Sequence, residues 1–198
     1  MNDTTKIIIS GVGGQGVVFL TELLVDAAVR AGISAGTSEI HGLSQRGGSV
    51  VAGVTLGKDT FGFVENAGAD FLLGLELLES QRSLNYLHSN SVAIIDDTII
   101  LPHSVNAQKA VYPDTDKFIS YLKKNIKEVI FIKDEFKEIT PVLRNLVVLA
   151  KAASVKDFPL KVKFLEDAIK NNSRGNAEKS LQVFRSALSL KKISKSLK

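Results

Sequence analysis

Residues 6–31 constrain the fold more than any other part of this 198-residue chain. Lys6-Ile7-Ile8-Ile9-Ser10 is a β-branched run that opens directly into Gly11-Val12-Gly13-Gly14-Gln15-Gly16. From Gln15 onward the apolar positions Val17, Leu20, Leu24, Ala27, Ala28 and Ala31 fall at helical spacing, and Gly32 marks the helix end. An apolar run without polar alternation reads as a strand buried on both faces, the condition of a central strand in a parallel sheet. Strand, glycine turn and amphipathic helix together are the first half of a βαβ unit, which commits the chain to layered α/β architecture.

The rest of the chain repeats that alternation. Strands are expected at 33–38, 49–56, 71–75, 92–97 and 129–132, with helices at 76–87 and 114–124. Gly57-Lys58-Asp59-Thr60 reads as a turn with 61–64 as its hairpin mate, which makes the sheet mixed. Helices follow at 142–153, 160–170 and 176–190; Pro159 suits a first turn and Gly175 separates the last two. The expected fold is therefore a three-layer α/β/α sandwich on a mixed, mostly parallel Rossmann-like sheet with a helical C-terminal third. No repeat or Pro/Gly/Ser-rich linker interrupts it, so residues 1–190 read as a single α/β domain and 191–198 as a basic tail.

Composition removes several functional classes. Apolar residues make up 44% of the chain and charged residues 23%, ordinary values for a globular protein. There is no cysteine, so disulfides, zinc ribbons and cysteine-ligated iron–sulfur clusters are excluded within the chain. The formal net charge of +4 equals the contribution of Lys191, Lys192, Lys195 and Lys198 in the tail. A nucleic-acid reader carries its basic face on the folded part, so no nucleic-acid partner is expected. The run at 6–10 is too short for a signal-peptide core or a membrane span, and the expectation is a cytoplasmic protein with no membrane contact.

Two segments carry chemistry. Gly11, Gly13 and Gly16 satisfy G-x-G-x-x-G between a strand and a helix, the context of a dinucleotide site. The first free N–H groups of the helix would favour a phosphate there. Glu39 stands close to the ~20-residue offset of a ribose-binding acid. The same glycines also serve a plain packing turn, so an independent NAD(P)- or FAD-binding protein and a non-nucleotide fold both stay open on the motif alone. Gln15 opens the helix with an amide available for a ligand or partner.

The second segment, Thr37-Ser38-Glu39-Ile40-His41-Gly42-Leu43-Ser44-Gln45-Arg46-Gly47-Gly48-Ser49, holds an acid, an imidazole, hydroxyls, an amide, a guanidinium and a Gly-Gly pair between two apolar runs. A mere connection needs no such range of donors and acceptors. Arg46 suits bidentate contact with a carboxylate or phosphate, Gln45 supplies an amide, and Gly47 and Gly48 permit close backbone approach. His41 is within reach of Glu39, and an imidazole is the side chain that can change charge near neutral pH; with no nucleophile beside it, an orienting role fits better than a general base. The competing reading closes the loop by pairing Glu39 with Arg46. Asp96 and Asp97 end a strand without a histidine at ligand spacing and read as loop caps, His88 and His103 as surface residues, and Asn171-Asn172 as a helix end. The chain has no Gly-Asp-Gly turn of the kind that holds magnesium and thiamine diphosphate.

Gly11-Val12-Gly13-Gly14-Gln15-Gly16-Val17 taken together with Ser38-Glu39-Ile40-His41-Gly42-Leu43-Ser44-Gln45-Arg46-Gly47-Gly48-Ser49-Val50 resembles the gamma-type subunit of the 2-oxoacid:ferredoxin oxidoreductases. The Glu-Ile-His-Gly-Leu-Ser-Gln-Arg-Gly-Gly form is similar to the small (beta) subunit of the indolepyruvate enzymes, and Ala69-Asp70 followed by an apolar run and Glu76 also fits. The resemblance implies a subunit that is inactive alone, in a complex that oxidatively decarboxylates a 2-oxoacid to an acyl-CoA. Thiamine diphosphate, magnesium and iron–sulfur clusters are then carried by a large partner subunit, coenzyme A is co-substrate, and ferredoxin is reached through the complex. It further implies that Gly11, Gly13, Gly14, Gln15, Gly16, Gln45, Gly47 and Gly48 form the cofactor-facing surface, with Glu39, His41 and Arg46 as the catalytic side chains.

Deleting 191–198 is expected to shift the melting temperature by no more than a few degrees and to leave complex assembly unchanged, because an exposed lysine-rich end contributes little packing. Differential scanning calorimetry and size-exclusion chromatography check this; a larger drop or failed assembly would mean that the tail docks.

Overall fold

The computed structural model describes residues 4–41, 48–58, 60–102, 105, 107, 111–133, 136, 139–172 and 176–189. Its strands are β1 (Thr4–Val12), β2 (Ala35–His41), β3 (Ser49–Gly57), β4 (Ala69–Gly74), β5 (Leu87–Asp96) and β6 (Glu128–Ile132). They form one sheet in the spatial order β2-β3-β1-β4-β5-β6. β1, β4, β5 and β6 run parallel, while β3 lies antiparallel between β2 and β1. The sheet is thus mixed and mostly parallel, as expected, with β3 as its one antiparallel strand.

Helices α1 (Val17–Arg30), α2 (Leu77–Arg82), α3 (Thr115–Asn125), α4 (Pro141–Ala153), α5 (Val162–Asn172) and α6 (Ala177–Ser189) cover both faces. Successive side chains of a strand point to opposite sides, so Ile7, Ile9, Leu73 and Ile94 pack with α1, α4, α5 and α6, whereas Ile8, Leu72, Ala93 and Ile95 pack with Leu77 and with Phe118, Ile119 and Leu122 of α3. The helical C-terminal third is the layer that thickens the α1 side. α1 ends as its glycine predicts: Ile33 N–H donates to Ala28 O at 2.9 Å and Gly32 N–H to Val29 O at 3.1 Å, the paired closure of a Schellman turn. Pro141 opens α4, where its missing N–H costs no helical bond.

Two expected elements come out differently. The helix expected at 76–87 stops at Arg82, and after a short 3-10 turn at Leu84–Tyr86 the strand β5 already begins at Leu87. Ser80 and Ser83 turn their hydroxyls back onto Glu76 O and Glu79 O, at 2.6 and 2.9 Å, a competition that weakens short helices. The hairpin expected between β3 and 61–64 does not form. Both edges of β3 are taken, by β2 and by β1, and the hairpin partner is β2, joined through the polar segment.

Residues 60–64 instead lie against one face of the β2–β3 pair. Ser38 Oγ donates to Gly62 O at 2.8 Å, and Gly62 N–H donates to Thr55 Oγ1 at 3.0 Å. Small residues make that approach possible: a Cβ on Gly36 would sit 2.5 Å from Thr60 O, and one on Gly53 2.5 Å from Gly62 O. Gly62 itself adopts φ +74 with its Cα against the Thr37 backbone, where a Cβ would come to 2.1 Å from Thr37 C. Gly62 and Val64 face inward while Phe61 and Phe63 face out, so the strand-like alternation is real although no sheet edge receives it.

Gly62→Ala is therefore expected to combine left-handed strain with overpacking and to cost roughly 2–4 kcal/mol. Phe61→Ala, one residue away and 82% exposed, should stay within about 0.5 kcal/mol of the wild type. Urea denaturation of both variants checks the pair; equal effects would mean that 60–64 moves aside freely.

Candidate functional site

The carboxyl ends of β1, β4 and β5 share one edge of the sheet. α1 leaves the end of β1 toward one face and α2 leaves the end of β4 toward the other. The gap between these two strand ends is the topological switch point at which open α/β sheets receive ligands. The hairpin reaches the same edge: Ser49 pairs with Val12, and His41, the last residue of β2, pairs with Val50. The described chain therefore breaks after His41 and resumes at Gly48 on the edge that carries the glycine loop.

Direct hydrogen bonds tie these parts into a closed ring. Gly13 N–H donates to Gly48 O at 2.9 Å, joining the glycine loop to the base of the polar segment. Ser49 Oγ donates to Glu79 Oε2 at 2.5 Å, and Glu79 N–H donates to Glu76 Oε2 at 2.8 Å. Leu75, next to Glu76, accepts from Gln15 Nε2 at 2.7 Å, while Gln15 Oε1 accepts from Val12 N–H at 2.8 Å. The ring closes because Val12 adjoins Gly13.

Gln15 thus turns its amide into the switch point. Gly11 lets it lie there, since a Cβ on Gly11 would stand 3.0 Å from Gln15 Oε1 and 3.1 Å from Leu75 Cβ. On the other side Asn145 of α4, itself buried, donates from Nδ2 to Gln15 O at 3.2 Å. Gly16, in the left-handed region at φ +81, leaves the room that Asn145 occupies: a Cβ would meet Nδ2 at 2.4 Å. Gly14 faces open space.

The ring is buttressed by buried acids. Glu76, fully buried, caps α2 with one carboxylate oxygen and with the other accepts from Ile100 N–H at 3.0 Å and from Tyr112 OH at 2.7 Å. Burial, reinforced by that carboxylate, pushes the Tyr112 phenol far above its ordinary range, so it remains a proton donor across physiological pH. One strand further, Asp96 accepts from Arg144 Nε at 2.7 Å and Nη2 at 2.5 Å, and Thr98 Oγ1 also donates to it. Asp97 accepts from the same Nη2 at 2.8 Å. These two acids fix α4 against the end of β5; among the described residues no group of three or more His, Cys, Asp or Glu side chains could hold a metal ion.

The structure thus brings Gly11, Gly13, Gly14, Gln15, Gly16 and Gly48 together with the end of β2. Glu39 sits on β2 opposite Ala52, two residues before His41, and is exposed. Gln45, Arg46, Gly47 and His103 lie outside the described residues. His88 lies elsewhere: its Nε2 is 4.0 Å from Asp70 Oδ1, and Asp70 accepts from Lys6 N–H at 2.8 Å near the opposite end of β1.

A match to the family described as pyruvate ferredoxin/flavodoxin oxidoreductase spans residues 6–190. The chain is 33% identical over 172 residues to the indolepyruvate oxidoreductase subunit IorB of Archaeoglobus fulgidus, covering 85% of this chain and 86% of that one. The chain belongs to the pyruvate ferredoxin/flavodoxin oxidoreductase family.

Solved structures agree on the fold. The gamma subunit of a keto/oxoacid ferredoxin oxidoreductase from Geobacter sulfurreducens superposes with a TM-score of 0.64 at 19% identity, over 93% of this chain and 96% of that one. The 2-oxoglutarate:ferredoxin oxidoreductase of Magnetococcus marinus, solved with 2-oxoglutarate, coenzyme A and succinyl-CoA bound, gives 0.67 at 14% identity, over 95% of this chain but 30% of that one. In this member of the family the residues that hold the edge together include several with no obvious motif. Asn145 is a lone amide in the apolar helix α4, a signal that something polar faces it. Glu79 and Arg144 look in sequence like ordinary solvated charges.

Gln15→Leu keeps the volume and removes both bonds, leaving Val12 N–H and Leu75 C=O without their partner. It is expected to destabilise the chain by about 1–3 kcal/mol in urea denaturation. A loss under about 0.5 kcal/mol would mean that the amide is not part of the frame.

Proposed function

We propose that this chain is the small, gamma-type subunit of a 2-oxoacid:ferredoxin oxidoreductase acting on indolepyruvate and related aryl-pyruvates. The observation that carries the reading is the 33% identity to an indolepyruvate oxidoreductase subunit along 85% of the chain. In this reading the complex converts the 2-oxoacid and coenzyme A to an acyl-CoA, with carbon dioxide released and the electrons passed to ferredoxin. A large partner subunit carries thiamine diphosphate, magnesium and iron–sulfur clusters. The lack of cysteine and of a Gly-Asp-Gly turn supports that division of labour. Residues 1–190 act as one domain, 191–198 as a solvated tail, and the complex works in the cytoplasm; no described helix is long and apolar enough to cross a membrane.

The edge of the sheet supports a role for the polar segment in the reaction. Gly11, Gly13, Gly14, Gln15 and Gly16 form one wall, and Gly48, the described residue that follows Gly47 in sequence, is bonded to it through Gly13 N–H. Arg46 grips an anionic group, the oxoacid carboxylate or a coenzyme A phosphate, and Gln45 adds an amide donor. His41 orients a reacting group and Glu39 sets its tautomer. A dinucleotide reading has less support, because Gln15 fills the switch point with its own amide and Asn145 stands against Gly16.

The isolated chain is expected to be folded and inactive, and reconstitution with the large subunit to give aryl-pyruvate-dependent reduction of ferredoxin or a viologen dye. Arg46→Ala should raise the KM for coenzyme A or for the oxoacid roughly ten- to hundredfold, the loss of one charge-assisted contact. His41→Ala should act mainly on kcat, and Glu39→Gln should mimic it. Turnover by the chain alone would sink the subunit reading. Wild-type kinetics in both Arg46→Ala and His41→Ala, with circular dichroism unchanged, would sink the site assignment.

A further inference from the structure

Phe61 and Phe63 stand beside one another on the outer side of the strap 60–64, 82% and 69% exposed. Their exposure is imposed by the backbone. Gly62 between them is pinned to the sheet by the bonds to Ser38 and Thr55, and Gly36 and Gly53 bring the strap into backbone contact there. Val64 fills the next inward position. Turning the strap over would put a phenylalanine where a single Cβ on Gly62 already meets Thr37 C at 2.1 Å. Close packing therefore commits both rings to the outside.

The strap also lies where a helical layer is missing. Through Val64 it shares the face of Ile8, Leu72 and Leu77. On that face α2 packs over β1, β4 and β5 and α3 over β6, whereas among the described residues the strap is what lies over β2 and β3. The two rings thus occupy the level that helices fill over the rest of the sheet. Glu65 continues the outward series and pairs with Lys6 Nζ at 2.5 Å, and Asn66 Oδ1 accepts from Asn85 Nδ2 at 2.8 Å. An aromatic centre with a polar margin is the anatomy of a protein–protein contact.

Area decides which partner fits. The exposed parts of the two rings amount to about 300 Å². A second copy of this chain seated on the same patch would bury about twice that, well below the roughly 1,200 Å² at which stable interfaces begin. The patch has the size of one anchor point within a larger interface, which a larger body must supply. We propose that Phe61 and Phe63 are the aromatic anchor with which this chain docks into an apolar recess of the large partner subunit. The inference rests on the subunit reading given under Proposed function, and it concerns the middle of the β2–β3 pair rather than the glycine loop.

The experiment combines hydroxyl-radical footprinting, read by mass spectrometry, with affinity measurements on the double variant Phe61→Ser/Phe63→Ser and on Val29→Ser. In the isolated wild-type chain both rings should label strongly, and assembly with the large subunit should cut that labelling several-fold. The double variant should melt within a few degrees of wild type and bind the large subunit at least about tenfold more weakly, as expected for the loss of an aromatic anchor. Val29→Ser, which removes a 67% exposed valine near the end of α1, should bind like wild type. Unchanged labelling on assembly, or wild-type affinity in the double variant, would overturn the docking role; if the double variant misfolds, the labelling decides. Weak labelling in the isolated chain would overturn it too, because the chain would then cover the rings itself. Sedimentation of the isolated wild type as a dimer that the double variant abolishes would assign the patch to a second copy. An equal loss in Val29→Ser would mean that assembly responds to any exposed apolar side chain, and the anchor would fall. Failure of the wild-type chain to assemble with the large subunit would instead sink the subunit reading, and this inference with it.

Discussion

The amide of Gln15 resolves a conflict built into the sheet. β1 and β4 share parallel ladder bonds up to Ser10 and Gly74, and Leu75 N–H still reaches Ser10 O at 2.8 Å. Beyond that point the chains must part, because α1 and α2 turn onto opposite faces. Val12 N–H and Leu75 C=O are left facing a half-buried gap, one a donor and the other an acceptor. An amide offers the complementary pair in a single plane. A glutamate of the same length would accept from Val12 but could not donate to Leu75, and an asparagine would be one methylene short.

From that bridge the rest of the edge follows in order. It places Leu75, and so Glu76, whose carboxylate gathers Tyr112, Ile100 and the start of α2. It places Val12, and so Gly13, which holds Gly48. Buried ionic groups of this kind are weak sources of net stability, because desolvation offsets most of the attraction. Their use here is geometric. Asp96 and Arg144 set α4 at one angle to β5, and α4 then delivers Asn145 to the backbone of Gln15. Each carboxylate accepts from a different segment of chain, so the loops of the edge are located by direction-specific bonds, where apolar contact alone would let them slide.

What was legible in the sequence follows the range of the interactions. β1, the glycine turn and α1 are written in adjacent residues, and so is the helix end at Gly32. The mostly parallel sheet followed from counting alternations, whereas its mixed character was expected from a hairpin to 61–64 that does not form and comes instead from β3 between β2 and β1. The partner of β3 was not legible, because a turn signal at 57–60 and the alternation of Phe61, Gly62, Phe63 and Val64 describe a strand equally well whether or not an edge is open to it. Only the pairing of β3 with β1 along its whole length, and with β2 on its other side, closes that edge. In the site, the importance of Gln15 could be read from its place at the mouth of a helix, but its partner lies 60 positions away at Leu75. Glu79 was invisible for the same reason: an acid on a short polar helix gives no sign that a hydroxyl 30 positions earlier reaches it.

The ring also decides where external chemistry can come from. Gln15, Ser49, Glu76, Glu79, Tyr112, Asp96 and Arg144 are engaged with one another or with the backbone, so they hold the edge and have little to offer a ligand. What the described edge leaves to an outside group is the backbone of the glycine loop, where Gly14 faces open space. In the sequence between Glu39 and Gly47, Arg46 is the single arginine or lysine. The anion-binding role proposed for this segment therefore rests on one residue, and the described chain is anchored on both sides of it. One end is held by the β2–β3 ladder, at His41 and Val50. At the other end Gly48 O accepts from Gly13 N–H and Ser49 Oγ donates to Glu79 Oε2, so the described residues on both sides of the segment are located by direction-specific bonds.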